Sequence, residues 1–233
     1  MNARRVGGAA LILAAVLFMA VFSYLAATFG YPDVLDGEAA VVLPKLLALG
    51  TTGRAVWVLY GVIPLLIIPA ALGVRAALGE RAPALTRSAV ILATISAVAM
   101  MLGLLRWPSI HWTLATQFAS VATDAERHAI GAVFLGLNSY LGQFIGEFIG
   151  ELTLNAFFLV TALAMRGDAR FPRWSALAGV IAAAVGFLAM ARNATPIVAT
   201  IAEVENYLLP LWMIVQGALL VRVRSDAGVE RVA

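Results

Sequence analysis

Glu147 and Glu151 stand four residues apart in the apolar run "YLGQFIGEFIGELTLN", residues 140 to 155. A charged acid on the lipid face of a spanning helix costs a few kcal/mol on insertion scales, so the pair is expected to face protein or a water-filled cavity. Carboxylates placed this way can bind a ligand, accept a proton, or pair with a structural arginine, here Arg106 or Arg192. At about 100° per residue, Glu147, Glu151 and Asn155 drift across one helix face with Gln143 at its edge. Gly142, Gly146 and Gly150 form a neighbouring stripe that would admit a second helix at close range.

The elements that must carry these residues follow from composition. Of 233 residues, 62% are hydrophobic and 12% charged, with a mean hydropathy of +0.94, which excludes an ordinary soluble domain. With about 20 apolar residues needed per crossing, the length suits six spans in one all-α membrane domain covering 1–233. Apolar runs put the spans at about 6–29, 55–74, 88–105, 146–165, 174–191 and 203–221. The 24 apolar residues that follow "MNARR" are longer than a signal-peptide core, so they read as the first span.

Eleven of sixteen basic residues then fall on one side: Arg4, Arg5, Arg75, Arg81, Arg87, Arg166, Arg170, Arg173, Arg222, Arg224 and Arg231. That side, with both termini, is expected to be cytoplasmic. The opposite segments, 30–53, 106–128 and 192–206, are longer and partly apolar, so extracytoplasmic helical cap segments are expected. Within them, "EAAVVLPKLLALG" predicts a short surface helix interrupted at Pro44, and "TDAE", Thr123 to Glu126, predicts a capped helix start. A helix running unbroken from there to Met165 would be roughly 60 Å long, about twice the hydrocarbon thickness, so it must project or bend.

Other chemistries are poorly supported. There is no cysteine, no HExxH, no GxSxG and no Walker loop, and the basic residues are too scattered for nucleic acid. His111 and His128 could join the two acids as metal ligands only if all four converged, so neither metal nor cofactor is expected. "RWPSIHW", Arg106 to Trp112, suits an interfacial belt, but an arginine can also fork onto a carboxylate, which makes Arg106 the best single partner for Glu147 or Glu151. Glu203 and Glu205 read as a solvated helix start, and Gln216, four residues from Trp212, as hydrogen-bonding glue between helices.

"YPDVL" (Tyr31 to Leu35), "RWP" (Arg106 to Pro108), "NSYLGQFIGE" (Asn138 to Glu147) and "LWMIVQGALL" (Leu211 to Leu220) resemble, in order and spacing, the bacterial integral-membrane family of unknown function catalogued as DUF4386. The resemblance implies a six-helix inner-membrane protein and no particular activity. It also implies that Asp33, Arg106, Trp107, Asn138, Gly142 and Glu147 help to form a site.

The combined expectation is a polar pocket at the outer end of the bundle, formed by Arg106, Trp107, Asn138, Gln143, Glu147, Glu151 and Asn155. Asp33, His111, Arg192 and Glu203 are secondary candidates. Binding of a lipid-like or small amphipathic ligand, in a sensory, accessory or carrier role, is the leading expectation for a protein whose constant partner is the bilayer. The alternatives are a membrane-embedded hydrolase or transferase with a glutamate base and an arginine anion stabiliser, and a structural partner that offers the glycine stripe to another membrane protein.

Overall fold

Backbone polar groups inside a bilayer must be satisfied within the chain, which leaves helices as the natural element for a sequence this apolar. The computed structural model describes residues 2–223. Its principal elements are α1 (Ala3–Phe29), α2 (Ala39–Ala48), α3 (Gly50–Leu78), α4 (Pro83–Ser120), α5 (Asp124–Arg166), α6 (Arg173–Asn193) and α7 (Thr200–Arg222). All but α2 are long and apolar enough to cross a membrane, so the chain is a multi-pass membrane protein with six candidate spans among the described residues. Arg224 and Arg231, counted above on the basic side, lie outside the described residues.

The spans form a closed ring in chain order: each packs on the next, and α7 returns to pack on α1. Adjacent glycines in α1 serve both of its neighbours. A Cβ on Gly7 would stand 2.6 Å from Cα of Gly73 in α3, and one on Gly8 would stand 2.5 Å from the carbonyl oxygen of Gly217 in α7. The backbones therefore touch where any side chain would hold them apart. Asn2 caps α1 by accepting from the Arg4 amide at 3.2 Å, and Gly30 ends it at a φ of +79°, a conformation that glycine adopts without steric cost. Arg4 Nη1 donates to the Val223 carbonyl at 2.8 Å, which fastens the two described ends of the chain together.

Two helices outrun the bilayer. α4 has 38 residues and α5 has 43, or roughly 57 and 65 Å at 1.5 Å per residue, so their connected ends project as a hairpin beyond the ring. The hairpin begins where α4 passes Pro108 in a π-helical turn, Trp107–His111. Proline cannot complete the normal bond and crowds the preceding turn; here the His111 amide reaches the Arg106 carbonyl at 2.9 Å, five residues back. α5 starts at the expected cap: Thr123 Oγ1 accepts from the Glu126 amide, and Glu126 accepts from the Thr123 amide. The short helix expected to break at Pro44 instead continues through it. Burial of Val42, Leu43 and Leu46 and packing of α2 on the hairpin offset the missing bond.

At the opposite end of the ring the α5–α6 turn is clamped by Asp168. Its carboxylate accepts from Arg81 Nη1 at 2.7 Å and from Arg170 Nη2 at 2.6 Å. Burial alone would raise its pKa, but the hydrogen bonds from Arg170 and Arg81 outweigh that and hold the carboxyl well below its usual range. A folded-state value below the unfolded one means stability that is present above about pH 4 and lost as the pH falls further. Asp168→Asn should therefore lower stability at neutral pH by about 1 to 2 kcal/mol, discounted for the half-exposed Arg81. In melting curves of the detergent-solubilised pair, the gap should narrow below about pH 4; a gap that stays constant on acidification would contradict this account.

Candidate functional site

The hairpin end of the ring encloses a cavity of about 470 Å³ to which all six spans contribute. One wall is aromatic: Phe18 and Phe22 come from α1, Tyr60 from α3, Trp107 from α4, and Tyr31 from the link after α1. The Tyr31 ring sits edge-on to Phe22, Trp57 and Tyr60 at 5.3 to 6.0 Å. Burial, reinforced by the nearby charge of Glu147, pushes its phenol up to about 12, so it stays protonated at physiological pH.

The other wall is ionic. Arg192, in the last turn of α6, donates through Nη1 to Glu151 Oε2 at 2.8 Å and through Nη2 to Glu151 Oε1, a two-point fork. The same guanidinium reaches Glu147 at 3.4 Å and Glu205 of α7 at 3.9 Å. Three carboxylates from two helices thus converge on one cation, and their side chains are only 8 to 26% exposed.

Arg106 is held separately. Its Nε and Nη2 donate to Asn138 Oδ1 at 3.2 and 3.0 Å, and Nη1 donates to the Gly103 carbonyl. Asn138 Nδ2 in turn donates to the Leu35 carbonyl at 2.8 Å, which ties the link after α1 to the start of the hairpin. Asn138→Leu would remove two of the three hydrogen bonds of a buried guanidinium and free that carbonyl, so a stability loss of about 2 kcal/mol is expected by thermal unfolding. A loss under about 0.5 kcal/mol would mean that water replaces the amide.

The segment that presents Asn138, Gln143 and Glu147 is π-helical over twelve residues, Asn138–Ile149, inside the otherwise α-helical α5. Such a segment turns by less per residue than an α-helix, and π distortions recur at functional sites. Here it resets which residues face the cavity.

The family described as "Domain of unknown function (DUF4386)" matches residues 6–217, nearly the whole chain. The chain belongs to the DUF4386 family. Neither a curated protein nor a solved structure matches it. In this DUF4386 protein the cavity brings together Asp33, Arg106, Trp107, Asn138, Gly142, Gln143, Glu147, Glu151, Arg192 and Glu203.

Two expected lining residues lie elsewhere. Asn155 is fully buried, with its amide against Gly186 of α6 where a Cβ would be 2.1 Å away, and it does not line the cavity. His111 is buried between the rings of Trp107 and Phe134, at 4.8 and 4.7 Å, because the π turn rotates it into the aromatic core. The second histidine, His128, is exposed on the hairpin, and no cluster suited to a metal occurs among the described residues.

The expected pairing of Arg106 with an acid is also corrected. Asn138 and the Gly103 carbonyl take its hydrogen bonds, and Arg192 is the cation between Glu147 and Glu151. The glycine stripe does admit a second helix at close range, and at all three positions that helix is α4. Gly146 meets the backbone of Gly103, Gly142 makes room for the Arg106 guanidinium, and Gly150 makes room for Met100. All three are buried inside the bundle.

The sequence alone did not point to Glu205 or, apart from Trp107, to the aromatic wall. Glu203 and Glu205 are two residues apart, hence on different faces of α7. Only the rotation of that helix decides that Glu205, 6% exposed, turns inward while Glu203 stays at the rim. The side-chain amide of Gln216, expected to bond between helices, is buried without a hydrogen-bond partner among the described residues.

Proposed function

We propose that this protein binds a small amphipathic molecule with a cationic head in the cavity at the hairpin end, and acts as a sensory or accessory receptor in the bacterial inner membrane. The observation that carries the reading is the polarity of the cavity. Five lining acids (Asp33, Glu147, Glu151, Glu203 and Glu205) face two arginines (Arg106 and Arg192), opposite a wall of five aromatic rings. Excess carboxylate with aromatic faces is the chemistry that recognises an ammonium group, by ion pairing and cation–π attraction. The volume falls within the range of small-molecule pockets. The excess of basic residues at the other end supports an extracytoplasmic cavity mouth and cytoplasmic termini.

The catalytic alternative is less well supported. An arginine already committed to Asn138 and Gly103 is not free to stabilise a developing anion, and carboxylates held by Arg192 are weak general bases.

Native mass spectrometry of the gently extracted protein tests the proposal, comparing wild type with the Glu147→Gln, Glu151→Gln double variant. A defined organic adduct on wild type alone is the expected result. A decyltrimethylammonium titration followed by tryptophan fluorescence should also saturate in wild type and not in the double variant. Bare masses for both forms together with no saturable response would overturn the proposal.

A further inference from the structure

A second cavity, of about 520 Å³, lies at the opposite end of the ring, between the start of α1, the α3–α4 turn and the α5–α6 turn. Five arginines line it, Arg4, Arg75, Arg81, Arg87 and Arg170, and they come from three separate stretches of the chain. Against them stand Glu80 on the cavity wall and the clamped Asp168 beside it, which leaves an excess of three positive charges.

A general bias of basic residues toward one membrane face explains their number but not their convergence on one concavity. Two of the guanidiniums are fixed in advance: Asp168 holds Arg81 and Arg170, and the Ala77 carbonyl accepts from Arg170 at 2.6 Å. Arg4 is 7% exposed and is anchored by Asn2 and the Val223 carbonyl. Arg75 and Arg87 are exposed, and their side chains make no hydrogen bond or ion pair among the described residues. α4 begins at Pro83 on the cavity wall with no side chain capping it, which adds the partial positive charge of a helix start. Fixed guanidiniums beside free ones are the arrangement that receives a tetrahedral oxyanion in several forks at once.

We propose that this arginine cavity is a binding site for a phosphate group, carried either by an anionic phospholipid headgroup or by a free phosphate. The lipid source is favoured by the apolar surface next to the cavity, since Leu72 and Ile91, one helical turn from Arg75 and Arg87, are exposed and offer a lipid chain a place to lie. Basic pockets between spanning helices bind acidic headgroups by this chemistry.

The test compares the whole protein with two variants. Arg75→Gln, Arg87→Gln removes the two free guanidiniums from the cavity. Arg166→Gln, Arg173→Gln removes the same charge from exposed positions at that end but outside the cavity. Each is reconstituted in phosphatidylcholine nanodiscs doped with phosphatidylglycerol, and the phosphatidylglycerol retained after release is counted by native mass spectrometry.

For a lipid ligand, retention should fall about tenfold or more in the cavity variant and stay near wild type in the control. For a free ligand, inorganic phosphate should raise the unfolding temperature of wild type and of the control, but not of the cavity variant, relative to chloride at equal ionic strength. Equal losses in the two variants would reduce the effect to diffuse surface charge and overturn the proposal. So would the absence of both responses in wild type.

Discussion

Arg192→Leu should destabilise the protein by about 3 kcal/mol, and Glu151→Gln should restore part of that loss when the two changes are combined. The arginine is the only cation in contact with Glu151 among the described residues, and it also approaches Glu147 and Glu205. Removing it leaves carboxylates in a setting that is 8 to 26% exposed, where an uncompensated charge costs far more than an exposed ion pair contributes. Glu151→Gln alone should cost less, because Arg192 keeps two acids within 4 Å. Unfolding of wild type, both single variants and the double variant closes a thermodynamic cycle, with an expected coupling of about 1.5 kcal/mol or more. A coupling near zero would show that solvent already screens the cluster.

Gly146→Leu is expected to give no folded protein, and Gly103→Ala to cost about 3 kcal/mol. A Cβ on Gly103 would stand 2.5 Å from Cα of Gly146, and one on Gly146 would stand 2.9 Å from Cα of Gly103. These are backbone atoms with no rotamer to change, so α4 and α5 would have to separate along a contact that also carries the 2.9 Å hydrogen bond from Ser96 to the Gly150 carbonyl. Two controls frame the result. Gly150→Ala meets the flexible Met100 side chain and should cost about 1 kcal/mol. Gly136→Ala meets nothing within 4 Å and should be neutral or slightly stabilising. Monodispersity and unfolding temperature would rank the four; equal behaviour of Gly103→Ala and Gly136→Ala would refute the close contact.

The six spans, the protruding fourth span and the polar cluster on it were legible because each depends on local signals: apolar length, a capping box, and acids where lipid forbids them. The choice of cation was not. Arg106 and Arg192 both lie near the mouth of the bundle, and nothing in the chain announces that Asn138, thirty-two residues on, satisfies the first and leaves the acids to the second.

The π-helical register was equally hidden. The wider turns of Asn138–Ile149 keep the predicted glycine face against α4, with Gly142 under Arg106, Gly146 on Gly103 and Gly150 beside Met100. Asn155, beyond that segment, falls on the interior face rather than the cavity. Phe18, Phe22 and Tyr60 are ordinary apolar-span residues until ring closure sets them around the same space.

That closure bears on how the protein is made. Of the six spans, α7 is made last and packs on α1, which is made before the others, so among them the contact of greatest sequence separation forms at the end. Until α6 arrives, Glu147 and Glu151 have no Arg192, and until α7 arrives, the cavity lacks the wall that carries Glu205. The acidic wall thus has no closing neighbour on its α7 side until the sixth span completes the ring.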